Sequence, residues 1–285
     1  MTHLPGLPKG RERVRRRVAP VAVTVLLSSW LAGCASRPRH AAPRPAAPAP
    51  SESPALGEAR TIFLGTSVNG APISMTVFGA GPDVTFVFCA IHGDEPTAAY
   101  VGKKLLEHLQ RSPDVGANRT IALLAIANPD GVAARTRTNA NGVDCNRNFP
   151  ASNWKHRPGF VRSNPGLRPA SEPETRAVIK AIELLKPARI ISVHSGLRCN
   201  NPDGPPAAAE LAALLARHNG YPVQASVGYP TPGSFGSWAG TDLHIPVVTL
   251  ELPRHNNGEK AWAENKAGLL EALRADPVLA AGTSR

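Results

Sequence analysis

Aromatic residues make up only 5% of this 285-residue chain, and it has four cysteines and two methionines. So few large rings exclude a predominantly aromatic core and leave packing to aliphatic side chains and alanine. No apolar run reaches the roughly 17–25 residues that a membrane-spanning helix needs. The best candidate, Val18 to Ala32, is short and broken by Pro20, Thr24, Ser28 and Ser29. Acidic residues are also in the minority, 21 against 32 Lys and Arg, for a formal net charge of +11. That excess is uneven. Residues 1–33 hold six basic side chains and one acidic, so +5 lies there and +6 is spread over the other 252 residues. Helix-turn-helix, aromatic-basic and zinc-finger patterns are missing, which argues against nucleic acid as a partner. A mild positive excess suits an acidic substrate or polyanionic surroundings.

The N-terminus reads as an address. Lys9, Arg11, Arg13, Arg15, Arg16 and Arg17 precede the short apolar stretch, and small residues close it, the layout of a secretory signal. Its end, Leu31-Ala32-Gly33-Cys34, resembles the lipobox of bacterial lipoproteins. The resemblance implies that residues 1–33 are removed and that Cys34 becomes the lipidated first residue. Its acyl chains would then hold the chain to a membrane through their buried methylenes. Ala35 in place of Asp fits the outer membrane of a Gram-negative cell, with the protein on the periplasmic side of the envelope. An ordinary signal with a chance cysteine, or an uncleaved anchor, are the other readings of the same residues. Residues 34–59 carry Pro38, Pro43, Pro45, Pro48, Pro50 and Pro54 among alanines. Such a stretch builds no core and is expected to act as an extended, semi-rigid tether.

Residues 60–285 are long enough for one sizeable domain. Arg60–Gly65 and Ile73–Phe78 alternate as strands about an Asn69-Gly70 hairpin signal. Val84–Ile91, Thr120–Ala127, Arg189–Val193 and Pro246–Leu250 are apolar enough for buried strands, and Pro222–Val227 is a further strand candidate. Helical spacing runs from Thr97 to about Arg111, from a Ser171/Glu174 capping box to about Leu185, over Ala207–His218 and over Ala261–Arg274. Asn128-Pro129-Asp130-Gly131 reads as a turn, and both 131–170 and Gly228–Gly240 read as long loops. Strands alternating with helices predict a single three-layer α/β domain, a mixed but mostly parallel sheet with helices on both faces. In such sheets ligands bind beyond the carboxyl ends of the strands. His92, His194 and Glu251 each close an apolar strand, and His92 is followed by Gly93, Asp94 and Glu95. Two histidines and a glutamate are a common zinc donor set.

The loop Arg137-Thr-Asn-Ala-Asn-Gly-Val-Asp144-Cys-Asn146-Arg147-Asn148-Phe149-Pro150, downstream of His92-x-x-Glu95, resembles the zinc carboxypeptidase family. Together with Gly228-Tyr229-Pro-Thr-Pro-Gly-Ser-Phe-Gly-Ser-Trp238 it resembles that family's murein peptide amidase branch. Carried over residue by residue, the resemblance makes His92, Glu95 and His194 the ligands of one zinc ion per chain. Glu251 becomes the general base and Arg137 the oxyanion stabiliser, with Arg135 as its competitor. Asn146 and Arg147 become the clamp for a terminal carboxylate, and Tyr229 a substrate-capping residue. Asp94 is a candidate to orient a ligand histidine or cap the following helix, and Asp144 to fix the arginine loop. His244 and His255 are expected to be structural or exposed.

The implied reaction is hydrolysis of the γ-D-glutamyl–diaminopimelate amide in murein-derived peptides. Nothing in the sequence points to a protein partner. Three alternatives stay open: a general peptide carboxypeptidase, an N-acyl amino acid deacylase of the desuccinylase or aspartoacylase type, and a non-catalytic lipoprotein that binds wall peptides. With Cys34 assigned to lipid, an odd number of cysteines is left. Cys89 reads as a small buried hydrophobe, and a disulfide between Cys145 and Cys199 is open.

Overall fold

The computed structural model describes residues 59–156, 163–254 and 257–275. The expected leader, Cys34, nearly all of the expected proline-rich tether and His255 lie outside the described residues. The elements, in order, are β1 (Arg60–Thr66), β2 (Pro72–Phe78), β3 (Asp83–Cys89), α1 (Pro96–Arg111), β4 (Arg119–Leu124) and α2 (Pro129–Ala134). They continue with α3 (Pro173–Leu185), β5 (Arg189–Ser195), β6 (Cys199–Asp203), α4 (Pro206–Asn219), β7 (Val247–Leu252) and α5 (Gly258–Arg274). No helix among the described residues is long and apolar enough to cross a membrane.

The strands form one mixed sheet in the order β1-β2-β4-β3-β5-β7-β6. The four central strands β4, β3, β5 and β7 run parallel, while β1, β2 and β6 pair antiparallel at the two edges. From β3 the chain moves one way to β4 and later the other way to β5. The crevice at such a reversal is where open α/β sheets bind ligands.

Strand alternation explains the three layers. On β3, Val87 and Cys89 join a core shared with α1, α4 and α5, while Phe86 and Phe88 join the core on the α3 side. The first core is mainly aliphatic, as the composition implies. The second gathers Phe86, Phe88, Phe149, Phe235 and Trp238, so the few rings are concentrated rather than dispersed. Phe235 lies edge-on to Phe88 at 4.7 Å and to Phe149 at 5.2 Å between centroids. Each such pair contributes about 0.5–1.5 kcal/mol beyond the burial of its area. These rings fasten the 149 and 235 loops to the central strand.

Four local expectations are corrected. Asn128-Pro-Asp-Gly is a helix start: Asn128 Oδ1 accepts from the Gly131 N–H at 2.9 Å, and Pro129 occupies the first turn of α2. Ser171 does not cap α3. The cap position is Glu172, without a side-chain bond, and buried Glu174 instead accepts from Asn139 Nδ2 at 2.8 Å and the Val68 N–H at 3.2 Å. Pro222–Val227 is no strand, since only Val223 bridges to Asn200, and the neighbouring strand is Cys199–Asp203. Gly228–Gly240 is not loop throughout, because Gly236–Asp242 winds as wide π-helical turns.

Candidate active site

Three neighbouring parallel strands deliver the central side chains. His92 and Glu95 follow β3, His194 lies near the end of β5, and Glu251 lies on β7 directly opposite His194 in the pairing register. The loop after β3 is held tightly. Ala90 adopts a left-handed φ of 54°, and its carbonyl accepts from the Asn128 N–H at 3.1 Å. That conformation is rare for a residue with a Cβ, so the surroundings must enforce it. Gly93 packs backbone to backbone on α2, where a Cβ would stand 1.8 Å from the Gly131 carbonyl carbon.

His92, Glu95 and His194 are all buried. His92 Nδ1 lies 2.8 Å from Glu95 Oε1, and His194 Nδ1 lies 3.2 Å from Glu95 Oε2. One donor atom from each residue falls within 4.8 Å of the other two. Both imidazoles thus aim the same nitrogen at one carboxylate, which fits a single divalent ion held by two neutral nitrogens and an anionic oxygen. Charge agrees with geometry. Burial opposes protonation of His92, yet Glu95 and Asp144 outweigh it and push its pKa up to about 9. A buried site this negative favours a cation. Glu95, against its own burial, is held far below the carboxylate range by the two histidines.

Asp144 organises the next ring of contacts. Its Oδ1 lies 3.0 Å from His92 Nε2 and accepts from the Asn146 N–H at 3.0 Å, while Oδ2 accepts from Arg137 Nε at 2.9 Å. A carboxylate on the outer nitrogen of a ligand histidine fixes its ring and tautomer. Sequence reasoning offered Asp94 for that contact and gave Asp144 only the arginine loop; Asp144 makes both.

The cleft in front of these groups is lined by His92, Glu95, Arg137, Asn146, Arg147, His194, Tyr229 and Glu251, so the expected ligands, base, oxyanion arginine, carboxylate clamp and capping tyrosine meet there, while Arg135, Asp94 and Asp144 are not among the lining residues. Arg137 faces the centre, with Nη1 3.9 Å from Glu95 Oε1. Arg135 ends α2 in a left-handed conformation and is exposed. Asn146 Oδ1 accepts from the Phe235 N–H at 2.8 Å, which leaves its Nδ2 for other partners. Arg147 is buried; burial lowers its pKa, Asp144 works against that, and Tyr229 hydrogen-bonds it. Glu251 Oε2 is buried with no hydrogen-bond partner, and burial raises this carboxyl's pKa despite His194. Cys89, Cys145 and Cys199 are free and buried, so the disulfide left open above does not form. Burial pushes the Cys199 thiol up to about 11, with Glu251 adding to it. Asp203, Asn201, Thr249 and Arg254 also line the cleft, and none was marked by the sequence.

Fold and site together are those of a metal-dependent hydrolase, and the chain belongs to the zinc carboxypeptidase family, whose model matches residues 55–201. Among its relatives, murein peptide amidase A of Escherichia coli K12 is 36% identical over 211 residues, covering 70% of this chain and 84% of that protein. Murein peptide amidase A of Vibrio campbellii is 35% identical over 203 residues, 66% of this chain and 77% of its own length. In three dimensions the murein-tripeptide amidase of Escherichia coli O157 matches with a TM-score of 0.61 at 32% identity, over 76% of this chain and 92% of that one. Carboxypeptidase A of Helicoverpa armigera shares the fold, with a TM-score of 0.67 at 19% identity over 80% of this chain and 70% of its own.

Proposed function

We propose that this enzyme hydrolyses the amide that precedes a free C-terminal residue in cell-wall peptides, most specifically the γ-D-glutamyl–diaminopimelate bond of murein tripeptide. The observation that carries the reading is the meeting, in one cleft, of His92, Glu95 and His194 with the buried carboxylate of Glu251 and the guanidinium of Arg147. The amidase relatives support the choice of substrate.

In this reading His92, Glu95 and His194 would hold one zinc ion. Bound there, zinc would polarise the scissile carbonyl and acidify the attacking water. Glu251 takes the proton of that water and passes it to the leaving amine. Its burial raises its pKa and so makes it the more basic acceptor for that proton. Arg137, fixed by Asp144, presents a permanent cation to the oxygen on which charge develops; one such donor contributes about 2.7–4 kcal/mol. Arg147 and the Nδ2 of Asn146 receive the terminal carboxylate, for which a planar guanidinium offers paired hydrogen bonds. Tyr229, half exposed at the rim and bonded to Arg147, closes over the bound peptide. An acylated Cys34 would place this chemistry on the periplasmic side of a bacterial envelope membrane, beside its polymeric source of substrate.

The test supplies zinc-loaded full-length protein with L-Ala-γ-D-Glu-diaminopimelate and with the same peptide extended by D-Ala. Free diaminopimelate should appear from the first and not from the second, and a chelator should stop its release. Cleavage of ordinary L-peptides with no action on the tripeptide would replace the reading with a general carboxypeptidase.

A further inference from the structure

Ala151–Trp154 close into a tight turn, in which the Trp154 N–H donates to the Ala151 carbonyl at 2.9 Å. Asn153 stands in that turn, exposed to solvent and not among the residues that line the cleft. Its amide nevertheless uses both ends on a distant loop. Oδ1 accepts from the Gly233 N–H at 3.0 Å, and Nδ2 donates to Ser237 Oγ at 3.0 Å. Gly233 is held from its other side as well, because its carbonyl accepts from the Phe149 N–H at 3.0 Å. Backbone groups outside helices and sheets need such partners. An asparagine amide, with an acceptor and two donor hydrogens on one carbon, is suited to bridge two of them.

Gly233 is the point at which this loop rests on Arg147. Its φ of 70° is left-handed, and a Cβ there would lie 2.4 Å from the Arg147 carbonyl oxygen and 2.6 Å from Trp154 Cδ1. The loop therefore packs directly on the backbone of Arg147, an approach for which glycine is needed. Two residues further on, the Phe235 N–H donates to Asn146 Oδ1 at 2.8 Å. That bond decides which end of the Asn146 amide is left for a ligand. Tyr229, four residues before Gly233, hydrogen-bonds Arg147. Asn146, Arg147 and Tyr229 thus all lean on the one loop that Asn153 fastens.

We propose that Asn153 is a positioning residue for the carboxylate clamp. It does not meet the substrate; it fixes Gly233 and Ser237, and through their loop the Arg147 backbone and the Asn146 amide. The inference rests on the proposed cleavage of a C-terminal amide and adds a residue on which recognition of the terminal carboxylate depends. The neighbouring Ser152 supplies a comparison. Its N–H and its Oγ each donate to the Asp242 carboxylate at 2.7 Å, so it stitches the same turn to the end of the π-helical turns without touching Gly233.

The experiment compares zinc-loaded full-length wild type, Asn153→Ala and Ser152→Ala on L-Ala-γ-D-Glu-diaminopimelate. Acetohydroxamic acid serves as an inhibitor that binds zinc and has no carboxylate for the clamp. Asn153→Ala should raise KM about tenfold, as two hydrogen bonds of ordinary strength would. It should keep the wild-type kcat, because the weakened contact serves ground state and transition state alike. Its inhibition constant for acetohydroxamic acid should equal that of wild type, which a general disturbance of the site would not allow. Ser152→Ala should keep the wild-type KM. An unchanged KM in Asn153→Ala overturns the role of Asn153. So does a fall in kcat together with weaker hydroxamate inhibition, or an equal rise of KM in Ser152→Ala, since either would make the turn a general support. Each of those results leaves the cleavage reading standing. If wild type releases no diaminopimelate, the cleavage reading itself fails and the proposal falls with it.

Discussion

Glu251 and Glu95 are both buried carboxylates within one cleft, and their surroundings push them in opposite directions. Glu95 sits between two imidazole nitrogens and is held strongly acidic. Glu251 has an oxygen with no hydrogen-bond partner, and burial raises its pKa. Two titratable groups driven apart in this way divide the labour between permanent anion and proton carrier. Glu251→Gln preserves shape and removes the proton-accepting charge. It should bind zinc as wild type does and lose about 10²- to 10⁴-fold in kcat. Metal analysis beside steady-state kinetics checks both halves, and undiminished turnover would strip Glu251 of the base role. Arg137 and Arg135 show what sequence alone leaves open at this scale. They are two residues apart in one loop, and only the fold shows that one is tied to Asp144 while the other ends a helix in solvent.

At the scale of elements, the parts legible in the sequence were those written in apolar residues. The buried strands β3, β5 and β7 announced themselves as apolar runs, and the polar residue closing each one marked the site. β6 carries no such signal. Cys199-Asn-Asn-Pro-Asp203 has neither an apolar run nor β-branched residues, and it is a strand because β7 offers an open edge for it to pair with. Missing β6 meant missing Asp203 as well. The Ser171/Glu174 capping pattern misled for a related reason: long-range bonds from Val68 and Asn139 claim Glu174, and local pattern cannot see them. The contact between the loop after β3 and α2 is equally invisible in sequence, and it is testable. With a Cβ only 1.8 Å from Gly131, Gly93→Ala must separate two backbones, not merely rotate a side chain. Overpacking of this kind costs about 1–3 kcal/mol or more. Urea unfolding should therefore show a lower midpoint at unchanged slope, and zinc affinity should fall with it because His92 and Glu95 flank the displaced residue. A variant with wild-type stability and zinc binding would mean that the loop is looser than its packing implies.

For the whole molecule, the charge and proline distributions divide the chain into parts with different physical roles. The cleft carries three arginines and several carboxylates in fixed positions, whereas nearly half of the net positive charge lies in residues 1–33. The high isoelectric point is thus partly a property of a segment that the lipobox reading removes, and it is a poor guide to the mature enzyme. On that reading, the chain would begin at Cys34, followed by a sequence rich in proline. We propose that any membrane anchoring would come from covalent lipid at Cys34, because the apolar sequence from Val18 to Ala32 is shorter than a spanning helix needs. Expressed in a Gram-negative host, the wild-type chain should incorporate labelled fatty acid and yield a mature form that begins at Cys34 with a blocked N-terminus. Cys34→Ala should incorporate none. Mass spectrometry of the mature N-terminus decides the matter: an unmodified chain beginning elsewhere would mean ordinary secretion, and the tether would then be a spacer without an anchor.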